Sequence, residues 1–518
     1  MKKIICGWVV MVLLLSAMIA VYASAAVAQK TVTPRYGGTL KWISSQVGVN
    51  IGVPWIPSPE HASEMIVRAP CVETLLRLDE KGNLIPWLAT GWKFSQDLKS
   101  VTFTLRQGVK FHDGTDFNAK TVKYNLDKYR TSPCGELKVV TSVDIVDDYT
   151  VRLNLSEFQA FFLSYFALNP GEMVSPTSIE AHDDLWNKSH SVGTGPFKFA
   201  SYEPSVALKW VKFDGYWQKG KPYLDAIESV VVVDRTVAKF AFKMGQGHVV
   251  SANIRDAIEL QKEGKYVICS TPAGTVSIAG DSANPDSPFA DIRIRRAVSY
   301  AIDNEAIAKS FGPGFIRPFN QPAALESWAY NKAVVGYPYN PDKAKALLKE
   351  AGYPNGFKTK LIYQSTAPSA MYMPAYQGYL KAVGIDAELQ GVQNILFNQI
   401  CTGGWKNGLI LVLVPTRVGY DPGMVLRDCL SSKSPNYPSI LHPADYEAKL
   451  AQSIAEPDFE KRKTLTQQAI KMAIDDYCLL NCITQDLRVN VQYPVLQDLR
   501  NCQYWFHMYT PADAWLSE

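Results

Sequence analysis

Few side chains in this sequence are spaced as catalytic machinery requires. No Gly-x-Ser-x-Gly turn presents a serine nucleophile, and no His-Glu-x-x-His pair stands ready for a zinc ion. The seven histidines, at 61, 112, 182, 190, 248, 442 and 507, form no cluster along the chain. Weaker candidates remain. Gly280-Asp281-Ser282 could expose a serine, but it follows a strand deep in the chain, and Ala283 stands where the esterase motif carries leucine. His112-Asp113 has the residue types of an acid–base pair, yet the Asp-Gly turn at 113–114 and a helix cap at Asn118 account for the stretch as a strand-to-helix corner. Cys478-x3-Cys482 is half of a zinc site that Cys502 and His507 could complete; an oxidising compartment would favour disulfides instead. Gly193-Thr194-Gly195-Pro196 breaks a strand and lacks the spacing of a phosphate-cradling loop. The balance is against an enzyme: no catalytic residue, metal or cofactor is expected.

The compartment is set by the N-terminus. Lys2 and Lys3 precede an uncharged run from Ile4 to Ala28, which ends in two A-x-A sites, Ala23-Ser24-Ala25 and Ala26-Val27-Ala28. This is the layout of a signal peptide cleaved before Gln29, giving residues 1–28 as the leader. An uncleaved anchor is the alternative, since the run could span a bilayer. Cys6 lies too early to make a lipoprotein. The remaining eight cysteines form an even set, as expected of disulfides in an exported chain, and proximity in the elements below suggests Cys71 with Cys134 and Cys401 with Cys429. At 518 residues the chain exceeds one domain. The basic excess, 53 to 49, falls to 51 to 49 once Lys2 and Lys3 are removed, so nothing points to nucleic acid. Twelve Trp and 26 Tyr are compatible with a cleft that stacks ligands.

Elements must hold whatever site exists. Alternation after Gly37-Gly38 predicts a first strand, and Glu60–Leu78 has helical spacing. Strands are expected over 101–111, 139–155, 206–213 and 227–233, with helices from Thr121 and from Thr236. After 267–280 long helices take over, including 291–311, 341–352, a run near 371–383, 445–456 and 459–474, with short strands at 359–363, 385–389 and 408–414. Asn118 and Asp421 are read as helix caps, and Arg293, Arg295 and Arg296 as a solvated or ion-paired helix face. The second half thus reads as parallel α/β.

The order of blocks resembles family 5 of the extracellular solute-binding proteins of ABC importers, the group with dipeptide-, oligopeptide- and nickel-binding members. The resemblance rests on residues 82–128 (GNLIPWLATGW through NLDK), 191–217 (SVGTGPFKF through GYW), 291–303 (DIRIRRAVSYAID), 339–356 (YNPDKAKALLKEAGYPNG) and 458–476 (DFEKRKTL through AIDD). It implies an α/β, two-lobed periplasmic-binding-protein-like fold, type II and of the large peptide-binding-like class, with a subdomain inserted in lobe one. Lobe one would be 29–270 plus 488–518, the insertion about 62–180, and lobe two 271–487. A periplasmic monomer that traps a small solute and presents it to inner-membrane permease subunits is the implied function.

Against the family's peptide binders, two anchors are missing. The segment that carries a stacking Trp and an acidic partner for the peptide ammonium reads Pro415-Thr416-Arg417-Val418-Gly419-Tyr420-Asp421-Pro422, with Pro415 and Val418 at those positions. The segment that supplies an Arg for the peptide carboxylate reads Tyr363-Gln364-Ser365-Thr366-Ala367-Pro368. A buried charge left unpaired costs roughly 3–5 kcal/mol, so a free zwitterionic peptide is disfavoured. Arg417 could hold a carboxylate. The candidate ligand contacts are therefore Trp55, Tyr363, Gln364, Trp405, Arg417 and Tyr420, with Trp328 a further stacking surface, and the expected ligand is a carbohydrate, an aromatic acid or another neutral or anionic solute. An oligopeptide, nickel or haem carrier is the alternative within the family, and a secreted hydrolase a distant one.

Overall fold

The computed structural model describes residues 33–45, 50–56, 61–416, 421–500 and 510–517. A mixed sheet of eleven strands links two lobes. In lobe one the strand Thr39–Ser44 lies between Ala226–Val231 and Val249–Ala252, parallel to both, and the hairpin Phe197–Glu203/Ala207–Lys212 extends the sheet. In lobe two Phe357–Gln364 lies between Ile385–Val392 and Leu409–Val414, again parallel to both. Two long strands join the halves. Val267–Gly280 crosses over and Asn481–Gln492 returns, antiparallel from Val267 opposite Gln492 to Ile278 opposite Asn481. The return strand pairs at one end with Val249–Ala252, and the outgoing strand pairs at the other with Leu409–Val414. Both strands thus belong to both lobes, the arrangement of a hinge.

Apolar side chains on both sheet faces explain the cores. Lobe two packs Leu361, Leu409 and Leu411 against Tyr372, Tyr376 and Val298 on one side, and Ile410, Val412 and Val414 against Leu426, Leu450 and Ile470 on the other. Lobe one has Leu40, Ile227 and Trp210 on one side and Ile43, Phe242 and Leu260 on the other. A third core belongs to a four-stranded antiparallel sheet, Ala89–Phe94, Ser100–Leu105, Thr150–Leu155 and Val140–Asp147, covered by the helix Ala119–Arg130. Asn118 caps that helix through a reciprocal box with Thr121.

The junction between this subdomain and lobe one is built around Glu73. Its carboxylate, fully buried, accepts hydrogen bonds from Trp87 Nε1 (2.8 Å), Tyr216 OH (2.8 Å), Thr194 Oγ1 (2.9 Å) and Trp217 Nε1 (2.9 Å). Gly193 and Gly195 must be glycine here, because a Cβ would sit 2.2 Å and 2.5 Å from the carbonyl oxygens of Cys71 and Pro70. Nearby, buried Arg68 donates to Glu172 (2.8 Å), the Asn50 carbonyl (2.9 Å) and Asn169 (3.2 Å). Burial pushes the Glu172 carboxyl up to about 7, against the pull of Arg68.

Several expectations are corrected. The helix begun at His61 ends at Arg68, because Pro70 bars its continuation, and the chain turns into strands at Glu73–Thr74 and Leu76–Leu78. The run 101–111 is a strand only to Leu105, and 139–155 is a hairpin. The helix at 291–311 is two, since Ile302 is extended and Asp303 caps a new start through Ala306 N. Arg295 is not solvated and forms no ion pair among the described residues: it is 5% exposed and donates to the carbonyls of Phe289, Ala290, Tyr477 and Cys478. Both suggested disulfides are absent. Cys71 is a free thiol in the lobe-one core, while the Cys134 thiol donates to the Trp55 carbonyl (3.4 Å). Cys401 and Cys429 are also free, and burial raises their thiols to about 11 and about 12; they pack as small apolar residues beside Tyr437. Among the described cysteines, only Cys269 is disulfide-bonded.

Candidate functional site

A cavity of about 640 Å³ lies where the lobes meet. Its lobe-one wall forms at the C-terminal ends of parallel strands, from Ser44, Ser45, Ser251 and Ala252; its lobe-two wall comes from Gln364, Leu411 and Leu413. Ala273 and Asp486–Val489, on the two crossing strands, complete it. Strand-to-helix loops diverge at such strand ends, which is why open α/β sheets bind ligands there.

Most of the surface is apolar, and its charges are three arginines and one aspartate: Arg235, Arg255, Arg488 and Asp486. Arg235 opens the helix Arg235–Lys243, capped by Asp234 on Val237 N (2.9 Å). Arg255 lies in the first turn of the helix Ile254–Lys262, capped by Asn253 on Asp256 N (2.8 Å). Lys239 ties the two helices through Asp256 (2.9 Å) and Glu259 (2.6 Å). Both helices therefore bring N-terminal partial positive charge, as well as an arginine, to the cleft. The Arg235 and Arg255 side chains are exposed and form no ion pair among the described residues. Asp486 accepts from Tyr372 OH (3.0 Å) and Thr484 Oγ1 (3.1 Å), but burial outweighs these bonds and pushes its carboxyl up to about 6.

The subdomain also touches lobe two. Arg427 donates to Tyr165 OH (2.7 Å), Arg462 to the Ala160 carbonyl (2.8 Å), and Ala160 N to the Ile454 carbonyl (2.8 Å). Arg462 also pairs with Asp421 (3.3 Å), the cap of the helix Pro422–Leu430.

Of the residues singled out from sequence, Gln364 lines the cavity. Tyr363, next to it, points to the other face and packs against the lobe-two core and Gly391. Trp55 is half-buried between the subdomain and lobe-one cores. Trp405 is 5% exposed, its Nε1 bonded to the Gly408 carbonyl (3.0 Å), and Trp328 lies against Arg462 and Phe459. Arg417 and Tyr420 fall outside the described residues. The three cleft arginines and Asp486 were not anticipated. Their signal was available: Asp234-Arg235 and Asn253-Ile254-Arg255 each pair a helix cap with an arginine directly after an apolar strand.

The weaker catalytic candidates have structural partners. His112 Nε2 meets the Gly195 carbonyl (2.9 Å), and burial lowers its imidazole to about 4, while Asp113 bonds Thr115 and Ser175. Ser282 is buried and its Oγ accepts from Leu441 N (2.9 Å). Cys478 and Cys482 contact different serines, Ser299 and Ser277; Cys502 and His507 lie outside the described residues. Two histidines do come together, His182 and His190 stacking on opposite sides of Trp186. Among the described residues no trio of His, Cys, Asp or Glu is placed to hold a metal, and no helix is long and apolar enough to cross a membrane.

Residues 83–407 match the model of the bacterial extracellular solute-binding proteins, family 5, and the chain belongs to that family. The glutathione-binding protein GsiB of Salmonella typhi is 32% identical over 324 residues, 61% of this chain and 62% of that protein, so the chain spans less than two thirds of the curated relative's length in the match. In fold it is similar to the ABC transporter substrate-binding protein CtaP of Listeria monocytogenes (TM-score 0.81, 21% identity, 93% of this chain and 100% of that one). It is also similar to the periplasmic binding protein DppA of Helicobacter pylori in complex with the peptide STSA (TM-score 0.78, 22% identity, 93% and 99%).

Proposed function

We propose that this chain is the periplasmic receptor of an ABC importer, exported by the signal peptide 1–28, and that it encloses an anionic organic solute with an apolar or aromatic body. Lobe one (29–270 plus 488–518, with the insertion at about 62–180) and lobe two (271–487) close on the solute by bending the two crossing strands. The observation that carries the ligand class is the cleft's charge, three arginines against one aspartate on an apolar surface. A carboxylate can be held bidentately by a guanidinium, and closure strengthens that pairing by removing water. Gln364 is placed to donate or accept beside it. The contacts Tyr165–Arg427 and Ala160–Arg462 act as the closed-state latch, and the permease reads the closed shape. The protein works as a monomer and transforms nothing.

A second reading, a short anionic peptide, is favoured by the relative named for glutathione binding and by Asp486, which could pair an ammonium group in place of the acid absent at Val418. Calorimetric titration with aromatic carboxylates, glutathione, neutral dipeptides, oligosaccharides and Ni²⁺ separates the readings. Carboxylates should bind, and Arg255→Ala should weaken them about 10- to 100-fold. Glutathione binding weakened by both Arg255→Ala and Asp486→Asn selects the peptide reading. Binding only of neutral solutes or Ni²⁺, insensitive to Arg255→Ala, overturns the anion reading.

A further inference from the structure

The two walls of the cleft differ in kind. Arg235 and Arg255 stand in the first turns of two lobe-one helices, and Arg488 precedes Val489, which pairs with Ala252 of lobe one. Among the described residues lobe two brings no basic side chain to the cavity, and its one charge there is Asp486. It brings apolar surface instead. Leu413, 50% exposed, is the one open position in the strand Leu409–Val414, whose other side chains are buried. Met371, in the turn Pro368–Tyr372, is 37% exposed. Both line the cavity, and among the described residues no other large apolar side chain of its wall is exposed.

The open apolar surface is continuous along the strand. Leu411 lines the cavity two residues before Leu413, so the two lie on one face and make a strip about 7 Å long. The helix Asn394–Gly403 adds the half-buried ring of Phe397 to the same cavity. A large apolar side chain left open to water on a cavity wall gains free energy only when an apolar group covers it. On the wall across from it, the charge that a carboxylate needs is already in place.

We propose that Met371 and Leu413, with the Phe397 ring, form the subsite that selects the ligand's apolar body, while its carboxylate is anchored on lobe one. The inference rests on the anion reading of the cleft and adds an orientation and a selecting wall to it. Turned the other way, the carboxylate would face Asp486 and the apolar body two guanidinium groups, so both ends would lose. The ligand class is a monocarboxylate with an aryl or medium-length alkyl body, matched to the strip of Leu411 and Leu413. The arginines then supply affinity common to all carboxylates, and lobe two decides which of them are kept.

The test is calorimetric titration of the full chain with 3-phenylpropionate, with 3-phenylpropanamide, which lacks the charge, and with propionate, which lacks the ring and is read by competition. 3-Phenylpropionate should bind saturably, and the amide and propionate each at least about tenfold more weakly. Met371→Gln/Leu413→Thr alters two exposed side chains, so the melting temperature should hold, while the preference for 3-phenylpropionate over propionate should fall at least about fivefold. Arg255→Ala should weaken both carboxylates by a similar factor and leave that preference intact. If no carboxylate binds, or Arg255→Ala changes nothing, the anion reading itself fails and this inference with it. If carboxylates bind through Arg255, but propionate binds as tightly as 3-phenylpropionate or Met371→Gln/Leu413→Thr weakens both alike or neither, the subsite alone is overturned.

Discussion

The inserted subdomain has two neighbours and treats them differently. Toward lobe one it buries Glu73 completely and gives the carboxylate four donors from residues on both sides of the junction. Toward lobe two it offers few hydrogen bonds, Tyr165 with Arg427 and Ala160 with Arg462 and Ile454, beside the apolar contact of Met424 with the subdomain core. A saturated buried charge cannot be opened without stranding its partners, whereas a few part-buried bonds can be exchanged for water at small cost. If the lobes move relative to one another as proposed, the stronger junction should keep the subdomain with lobe one.

The strongest way to break this comparison is Glu73→Ala. It strands four donors at a buried junction and should destabilise by about 3 to 5 kcal/mol in chemical denaturation; a loss below about 1 kcal/mol would show the junction to be ordinary. Next in size is the acid that lines the cleft. Asp486 has its folded pKa raised to about 6, so its contribution is fully present below the unfolded value near 4 and is lost as pH rises through 6. Asp486→Asn should therefore gain on the parent protein by about 2 to 3 kcal/mol between pH 4 and pH 7.5, and a flat difference would remove the burial argument. Tyr165→Phe, which deletes only the hydroxyl that Arg427 meets, should cost about three- to tenfold in ligand affinity by favouring the open form, with stability changed by less than about 1 kcal/mol. Equal loss of stability and affinity would make this interface as permanent as the other. Smallest is Lys110→Ala, which removes a solvent-exposed pair with Asp116 (2.6 Å) and should change stability by no more than about 0.5 kcal/mol.

What the sequence made legible was local. The caps at Asn118 and Asp421 follow from side chains that reach backbone groups two or three residues on, and both are present. Apolar alternation located the strands of both lobes, because burial on a sheet face leaves a periodic trace. Long-range outcomes left no such trace. Arg295 looks like any basic residue on a helix until the carbonyls of Tyr477 and Cys478 arrive to meet it. Cys71 and Cys134 look like a pair by position, yet one thiol sits in the lobe-one core and the other faces Trp55. Segment 363–368 reaches the cavity through Gln364, whereas Arg235, Arg255 and Arg488 are far apart in sequence and share it only once two lobes are joined.

The return strand also fixes an order of events. Val249 pairs with Gln492 and Ala252 with Val489, while Val267 to Ile278 wait for the same late segment. A ribosome making this chain releases the two halves of the sheet with an open edge, and neither can be completed until Asn481–Gln492 has emerged. Closure between such distant partners is slow. A truncation that stops before residue 481 should consequently leave two unfinished half-sheets rather than one intact lobe.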